Sequence, residues 1–202
     1  MDFYNTIEEE GLAEFKDRGS RFLAYAFPFT AQADLKMQLQ KLKKEHPKAV
    51  HFCFAYRLGT TDNNFRTNDN GEPAGTAGKP ILGQIDSKNL TDIFIVVVRY
   101  FGGTLLGVPG LINAYKSAAS MVLQVIPAVR KEILNYWVVK FNYTASANVH
   151  AFIKTYNCSV VSVSDSLFSE IIFGISKANE ADAVKKIRLI PGVDTLTEHI
   201  TV

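Results

Sequence analysis

The chain is short of cysteine, of long apolar runs and of net charge, and each shortage closes off a class of function. Only Cys53 and Cys158 occur in 202 residues. No CxxC, HxxxH or HExxH stands anywhere, so zinc-type ligand spacing is absent and no metal is expected. The longest uninterrupted apolar stretch, Ile93–Val98, falls far below the ~20 residues that span a bilayer. The opening MDFYNTIEEE has neither the basic stretch nor the apolar segment of a secretory leader. A cytoplasmic protein with reduced thiols and no membrane contact is therefore expected, which makes the Asn-x-Ser/Thr sequences at Asn89, Asn142 and Asn157 chance matches. A formal net charge of +2 implies no polyanionic partner by itself.

What is present is ordinary globular composition: 47% hydrophobic, 21% charged and 11% aromatic residues. At this size roughly 70% of the unfolded surface is buried on folding, enough for a core without disulfides or metal. Charge is uneven along the chain. Asp2, Glu8, Glu9, Glu10 and Glu14 form an acidic leader, whereas Phe15–Tyr136 holds 16 basic against 9 acidic residues, a net of +7. From Trp137 onward the two signs balance. A positive central block suits an anionic partner, and it equally suits a solvated surface.

The last third parses into β-α-β-β-α-β, the split βαβ or ferredoxin-like order. Its elements are a strand over Tyr136–Thr144, a helix capped by Ser146, a hairpin of Cys158–Ser164 and Leu167–Lys177 turning at Asp165-Ser166, a helix from about Asn179, and a strand over Val193–Val202. The earlier part is mixed α and β. Phe15–Ala26 reads as a strand or bent pair broken near Arg18-Gly19-Ser20. Thr30 is placed to cap a helix carrying Leu35, Leu39 and Leu42 and ending at Pro47. Val50–Arg57 alternates, putting Val50, Phe52, Phe54 and Tyr56 on the core face and His51, Cys53, Ala55 and Arg57 on the other. Leu58–Pro80 reads as a long loop, Ile93–Val98 as a central buried strand, Pro109–Val125 as a helix, and Ile126–Glu132 as the linker.

Two Gly-rich segments depart from a plain core. In the first, Gly75, Thr76, Ala77 and Gly78 could aim backbone N–H groups at an anion beside Lys79, or simply form a solvated Ω-type loop. It is not a P-loop, because Pro80 follows the lysine. The second, Arg99–Gly110, runs from the buried strand into the helix. Its glycines could present the helix N-terminus to a phosphate or carboxylate, or serve close packing while Arg99 reaches out of the sheet. His51 and Cys53 invite a Cys-His nucleophile reading, but free cysteine is usually a small buried hydrophobe and no orienting third group can be assigned.

Four ordered blocks then fall into place: Gly19–Ala24 (GSRFLA), His51–Arg57 (HFCFAYR), Gly71–Leu82 (GEPAGTAGKPIL) and Ile95–Gly107 (IVVVRYFGGTLLG). Together they resemble the YigZ/IMPACT family. The resemblance implies an α+β protein. Its N-terminal IMPACT-type domain, 1–130, would have the ribosomal-protein-type β-α fold also found in elongation factor G domain IV, and a ferredoxin-like βαββαβ domain would occupy 131–202. It further implies a link to translation, since eukaryotic members regulate initiation through protein partners. Carried over by position, the binding residues are Arg21, His51, Cys53, Arg57, Glu72, Gly75, Thr76, Gly78, Arg99, Tyr100, Gly102, Gly103 and Gly107, to which Lys79 is added from the loop itself. Pro109 and Asn113 depart from the family pattern, which usually has Gly and Arg there.

The expectation is a non-catalytic protein that binds the ribosome, RNA or a translation-associated protein, with no cofactor. The alternative is a small-molecule enzyme holding a phosphorylated or carboxylated ligand at the Gly-rich loops. In geometry, the face bearing His51, Cys53 and Arg57 is expected to adjoin the Gly71–Lys79 loop and Arg99. Glu72, the one acid in Gly71–Leu82, would be the counter-charge for Arg57 or Arg99.

Overall fold

A computed structural model of the chain describes residues 2–60, 64–165 and 169–199. The chain divides into two compact units, one of Tyr4–Lys131 and one of Met1–Phe3 with Glu132–Val202.

Apart from the end residues Phe3 and Glu132, the first unit runs β1 (Phe3–Ile7), β2 (Gly11–Asp17), β3 (Ser20–Pro28), α1 (Asp34–Glu45), β4 (His51–Arg57), β5 (Phe65–Asn68), α2 (Gly78–Ser87), β6 (Ile93–Tyr100), α3 (Gly107–Val125) and β7 (Ala128–Glu132). Five strands form an antiparallel sheet in the order β2-β3-β6-β4-β5. The central position of β6 follows from its sequence, since Ile93–Val98 is apolar on both faces and every one of those side chains is fully buried. Arg18 and Gly19 both have positive φ, 44° and 78°, the turn geometry that matches the twist of the β2–β3 hairpin. One sheet face carries Phe52, Phe54, Tyr56, Phe94, Val96 and Val98 against Leu35, Leu39 and Leu42 of α1. The opposite face carries Cys53, Ala55, Ile93, Ile95 and Val97 against α2 and α3.

This sandwich corrects several expectations. Because helices cover both faces, β4 has no solvent face, and Val50, expected in the core, lies outside the strand and is exposed. Thr30 caps nothing: α1 starts at Asp34, whose carboxylate in the first turn suits the helix dipole. The expected long loop contains β5 and the start of α2. Both escape a pattern reading because β5 is a four-residue edge strand with little apolar content, and Pro80 in the first turn of α2 looks like a breaker although no hydrogen bond is asked of its nitrogen there. Pro109 is accommodated likewise in the first turn of α3. The expected linker, Ile126–Glu132, contains the division between the units at Lys131/Glu132, but most of it is β7, a strand paired with β1 that no local pattern announces.

The second unit runs β8 (Leu134–Phe141), a single 3-10 turn at Tyr143–Ala145, α4 (Ser146–Thr155), β9 (Ser159–Asp165), β10 (Ser169–Ser176), α5 (Glu180–Ile187) and β11 (Val193–His199). Its antiparallel sheet has the order β11-β8-β10-β9. Ile171, Phe173 and Ile175 of β10 pack with Val149 and Phe152 of α4 and Ala183 and Ile187 of α5. Ser146 is not the cap it was expected to be. The Asn142 side chain instead accepts from the Ala145 N–H and orders the turn that leads into α4. The expected turn residue Ser166, the expected start of the second hairpin strand at Leu167, and the part of the final strand beyond residue 199 lie outside the described residues. Among the described residues no helix is long and apolar enough to cross a membrane.

Candidate functional site

The strand pairing decides which charged groups meet. His51 opens β4 directly opposite Arg99 near the end of β6, so both side chains leave the same end of the sheet. The segment between β5 and α2 folds back over them. There Glu72 meets Arg99, with Oε1 2.5 Å from Nη1, and the two side chains are only 4% and 6% exposed. Tyr115 of α3 donates its hydroxyl to the same oxygen at 2.7 Å. His51 Nε2 stands 3.9 Å from it. Arg99 also lies over the rings of Phe22 and Phe101, at 5.4 and 5.7 Å from their centroids, while its Nε is buried with no hydrogen-bond partner. His51 Nδ1 sits 2.8 Å from the Asn70 carbonyl oxygen, which can only accept, so Nδ1 carries the proton.

Cys53 lies beneath this cluster, fully buried, with Sγ 3.0 Å from the Asp69 carbonyl and 3.3 Å from the Tyr115 hydroxyl. Burial pushes the thiol up to about 12, and the nearby Glu72 and Asp69 charges act the same way. Burial likewise raises the Tyr115 phenol far above its usual range, with Cys53 and Glu72 adding to it. The Cys-His nucleophile reading fails on this geometry, because a protonated thiol sealed between α3 and the sheet neither ionises nor meets a substrate. Its place in an accessible binding face fails for the same reason.

The Gly-rich loop is ordered by a residue that the sequence reading passed over. Asp69 Oδ1 accepts from the N–H groups of Ala77 and Gly78 at 3.0 and 2.8 Å, and Oδ2 accepts from Gly75 at 2.8 Å. Burial alone would raise the Asp69 carboxyl, but those three donors and the Lys79 charge outweigh it and hold it below the ordinary range. The backbone cradle expected to receive an external anion is thus filled by the protein's own carboxylate, at the N-terminus of α2. An acid placed a few residues before a run of small residues and a helix was the available signal. Thr76 is buried and donates to the Pro73 carbonyl at 2.7 Å, so it is not offered to a ligand either. Gly78 has no room for a side chain: a Cβ there would stand 2.8 Å from Asn68 N.

Other expected members stand elsewhere. Arg57 occupies the far end of β4 and pairs with Asp86 of α2 at 2.7 Å, not with Glu72. The reason is register, since His51 and not Arg57 faces Arg99. Arg21 is exposed, bonds Glu14 at 2.5 Å and lies over the Tyr100 ring at 5.6 Å. Tyr100 turns to the α1 face, where its hydroxyl is 2.8 Å from His46 Nδ1. In the second Gly-rich segment, Gly102 serves close packing, because a Cβ would lie 1.9 Å from the Gly19 carbonyl carbon. Gly103 and Gly107 have φ of 85° and 70°, the left-handed region glycine favours, and Gly107 begins α3. Lys79 is exposed beside Gly75. The structure therefore brings together His51, Cys53, Glu72 and Arg99 with the Asp69-ordered loop, and leaves Arg21, Arg57 and Tyr100 apart. No group of three or more His, Cys, Asp or Glu side chains among the described residues could hold a metal.

The family model described as the Impact N-terminal domain matches residues 18–123. The chain is 38% identical over 141 residues to IMPACT family member YvyE of Bacillus subtilis, covering 70% of this chain and 65%, just under two thirds, of that protein. It is 35% identical over 136 residues to IMPACT family member YigZ of Escherichia coli, covering 66% of this chain and 67% of that one. A crystal structure described as that of a hypothetical protein superposes with a TM-score of 0.76 and 26% identity, covering 100% of this chain and 98% of the other.

Proposed function

The chain belongs to the IMPACT family, and from that premise we propose that it is a non-catalytic, translation-linked protein that binds ribosomal RNA or a ribosome-associated partner in the cytoplasm. We read the first unit as the ribosomal-protein-type fold of elongation factor G domain IV and the second as ferredoxin-like, two separable domains divided at 130/131. The observation that carries the functional reading is the Asp69 carboxylate seated in the loop amides. An enzyme holding a phosphorylated ligand at that loop would need those donors free. The Glu72 carboxylate is likewise taken up internally, by Arg99 and Tyr115, and it fixes the loop to the sheet rather than facing a partner. What remains for recognition is the rigid surface these bonds hold in shape.

The test is co-sedimentation of the purified chain with ribosomes across a salt series. Binding through Lys and Arg releases condensed counterions, so the bound fraction falls steeply as salt rises. No co-sedimentation at low salt, combined with stabilisation of the chain by a small phosphorylated ligand, would refute this reading and favour the enzyme.

A further inference from the structure

The cations of α1 are sorted by side. Leu35, Leu39 and Leu42 mark the inward stripe of the helix. Lys36 and Lys43 are seven residues apart and share one flank with Gln40, whereas Asp34, Lys41 and Glu45 share the other. The contacts fix which flank is which. Lys43 Nζ lies 5.9 Å from the centroid of Phe52 on β4. Glu45 acts on the other side, where burial first and then its carboxylate raise the Tyr25 phenol of β3. The purely basic flank therefore faces β4 and the edge strand β5.

β5 supplies the matching charge. Arg66 is exposed, with its guanidinium carbon 6.0 Å from the centroid of Phe54, two residues along β4 from Phe52. Gln32 Nε2 donates to Asn64 Oδ1 at 3.3 Å, tying the approach to α1 to the approach to β5. From that tie, Lys36 is about 6 Å along the helix and Arg66 about 6–7 Å along the strand, so the two are level. Lys43 follows about 10 Å further on. Among the described residues, Lys36, Lys43, Lys44 and Arg66 enter no ion pair with an acid. The helix dipole accounts for cations in the last turn such as Lys43 and Lys44, but not for Lys36 or for Arg66 on a strand.

We propose that the flank of α1 facing β5, with Lys36 and Lys43 opposite Arg66, binds the sugar–phosphate backbone of RNA. This rests on the translation-linked reading and names its ligand and surface. The spacing spans about three phosphates of one strand, which need only fixed cations. An acidic protein segment would also want an apolar pocket for an anchor residue, and the floor here, Phe52 and Phe54, is 7% and 4% exposed and closed.

Fluorescence anisotropy of the full chain with a short single-stranded RNA of mixed sequence tests this, using Lys36→Gln/Lys43→Gln/Arg66→Gln against Lys154→Gln/Lys177→Gln/Lys185→Gln, which removes equal charge from the second unit. The first variant should bind at least tenfold more weakly at low salt, and the slope of log K against log salt should shrink by about 2, roughly 0.7 per lost contact. The second should stay within about twofold of the unsubstituted chain. A thermal melt confirms that each variant is folded, and Lys36→Gln/Arg66→Gln replaces the triple variant if that one is not. Equal losses in both variants, no loss in the first, or displacement of RNA by polyglutamate at matched charge overturns the proposal. If the unsubstituted chain and the first variant co-sediment equally with ribosomes, this surface is wrong while the translation-linked reading stands. If the unsubstituted chain binds neither ribosomes nor RNA, both fall.

Discussion

Replacing Glu72 by Gln removes the charge that balances Arg99 while keeping the volume of the side chain. Both partners are almost wholly enclosed, at 4% and 6% side-chain exposure, so water cannot take over the lost interaction. Removing one partner of such a buried pair costs about 3–5 kcal/mol, because the other charge is left uncompensated. For a unit of this size that is roughly 12–20 °C in Tm, at about 4 °C per kcal/mol. Arg99→Met alone leaves the carboxylate with its Tyr115 donor, a milder defect. In Glu72→Gln/Arg99→Met no buried charge remains, so the double variant should be more stable than Glu72→Gln alone. The coupling energy should reach about 2–3 kcal/mol, the upper part of the range for residues in contact. Urea unfolding of the four proteins, followed by far-UV circular dichroism, gives every corner of the cycle. A Glu72→Gln cost below about 1 kcal/mol, or strictly additive effects, would show that the pair does not hold the loop to the sheet.

Two further outcomes follow from the same site. The Asp69 carboxyl is held below its ordinary value in the folded chain, so its contribution is complete above the unfolded pKa of about 3.9 and disappears as pH falls through the folded value. Asp69→Ala should cost about 1–2 kcal/mol at neutral pH and speed hydrogen exchange at Gly75, Ala77 and Gly78, whereas unchanged exchange there would refute the cradle. Native alkylation at pH 8 should modify Cys158, which burial raises to about 11 but which is only half-buried, and spare Cys53 until the chain is unfolded. Peptide mass spectrometry reads the two sites separately, and comparable native labelling would reopen the nucleophile reading.

Local pattern carried far in this chain. Six apolar residues in β6 had to lie at the centre of a covered sheet, and the β-α-β-β-α-β order of the second unit follows from periodicity and turn residues alone. The site was legible in part: alternation in β4 and β6 put His51 and Arg99 where cross-strand pairing could join them, with Glu72 the one acid in Gly71–Leu82. Glu72 meets Arg99 and not Arg57 because of register, and register depends on how β4 and β6 align across the sheet, more than thirty residues apart in sequence. The burial of Cys53 required knowing that α2 and α3 cover the face a two-sided strand would otherwise give to solvent. The same holds for β7, a strand only because β1 is there to take its hydrogen bonds. What the sequence determined by itself were the intrinsic properties of segments: which are apolar on both faces, which alternate, where glycine frees the backbone. Which faces are covered and which charges pair with each other depends on how the segments pack, since burial and ion pairing belong to two segments at once.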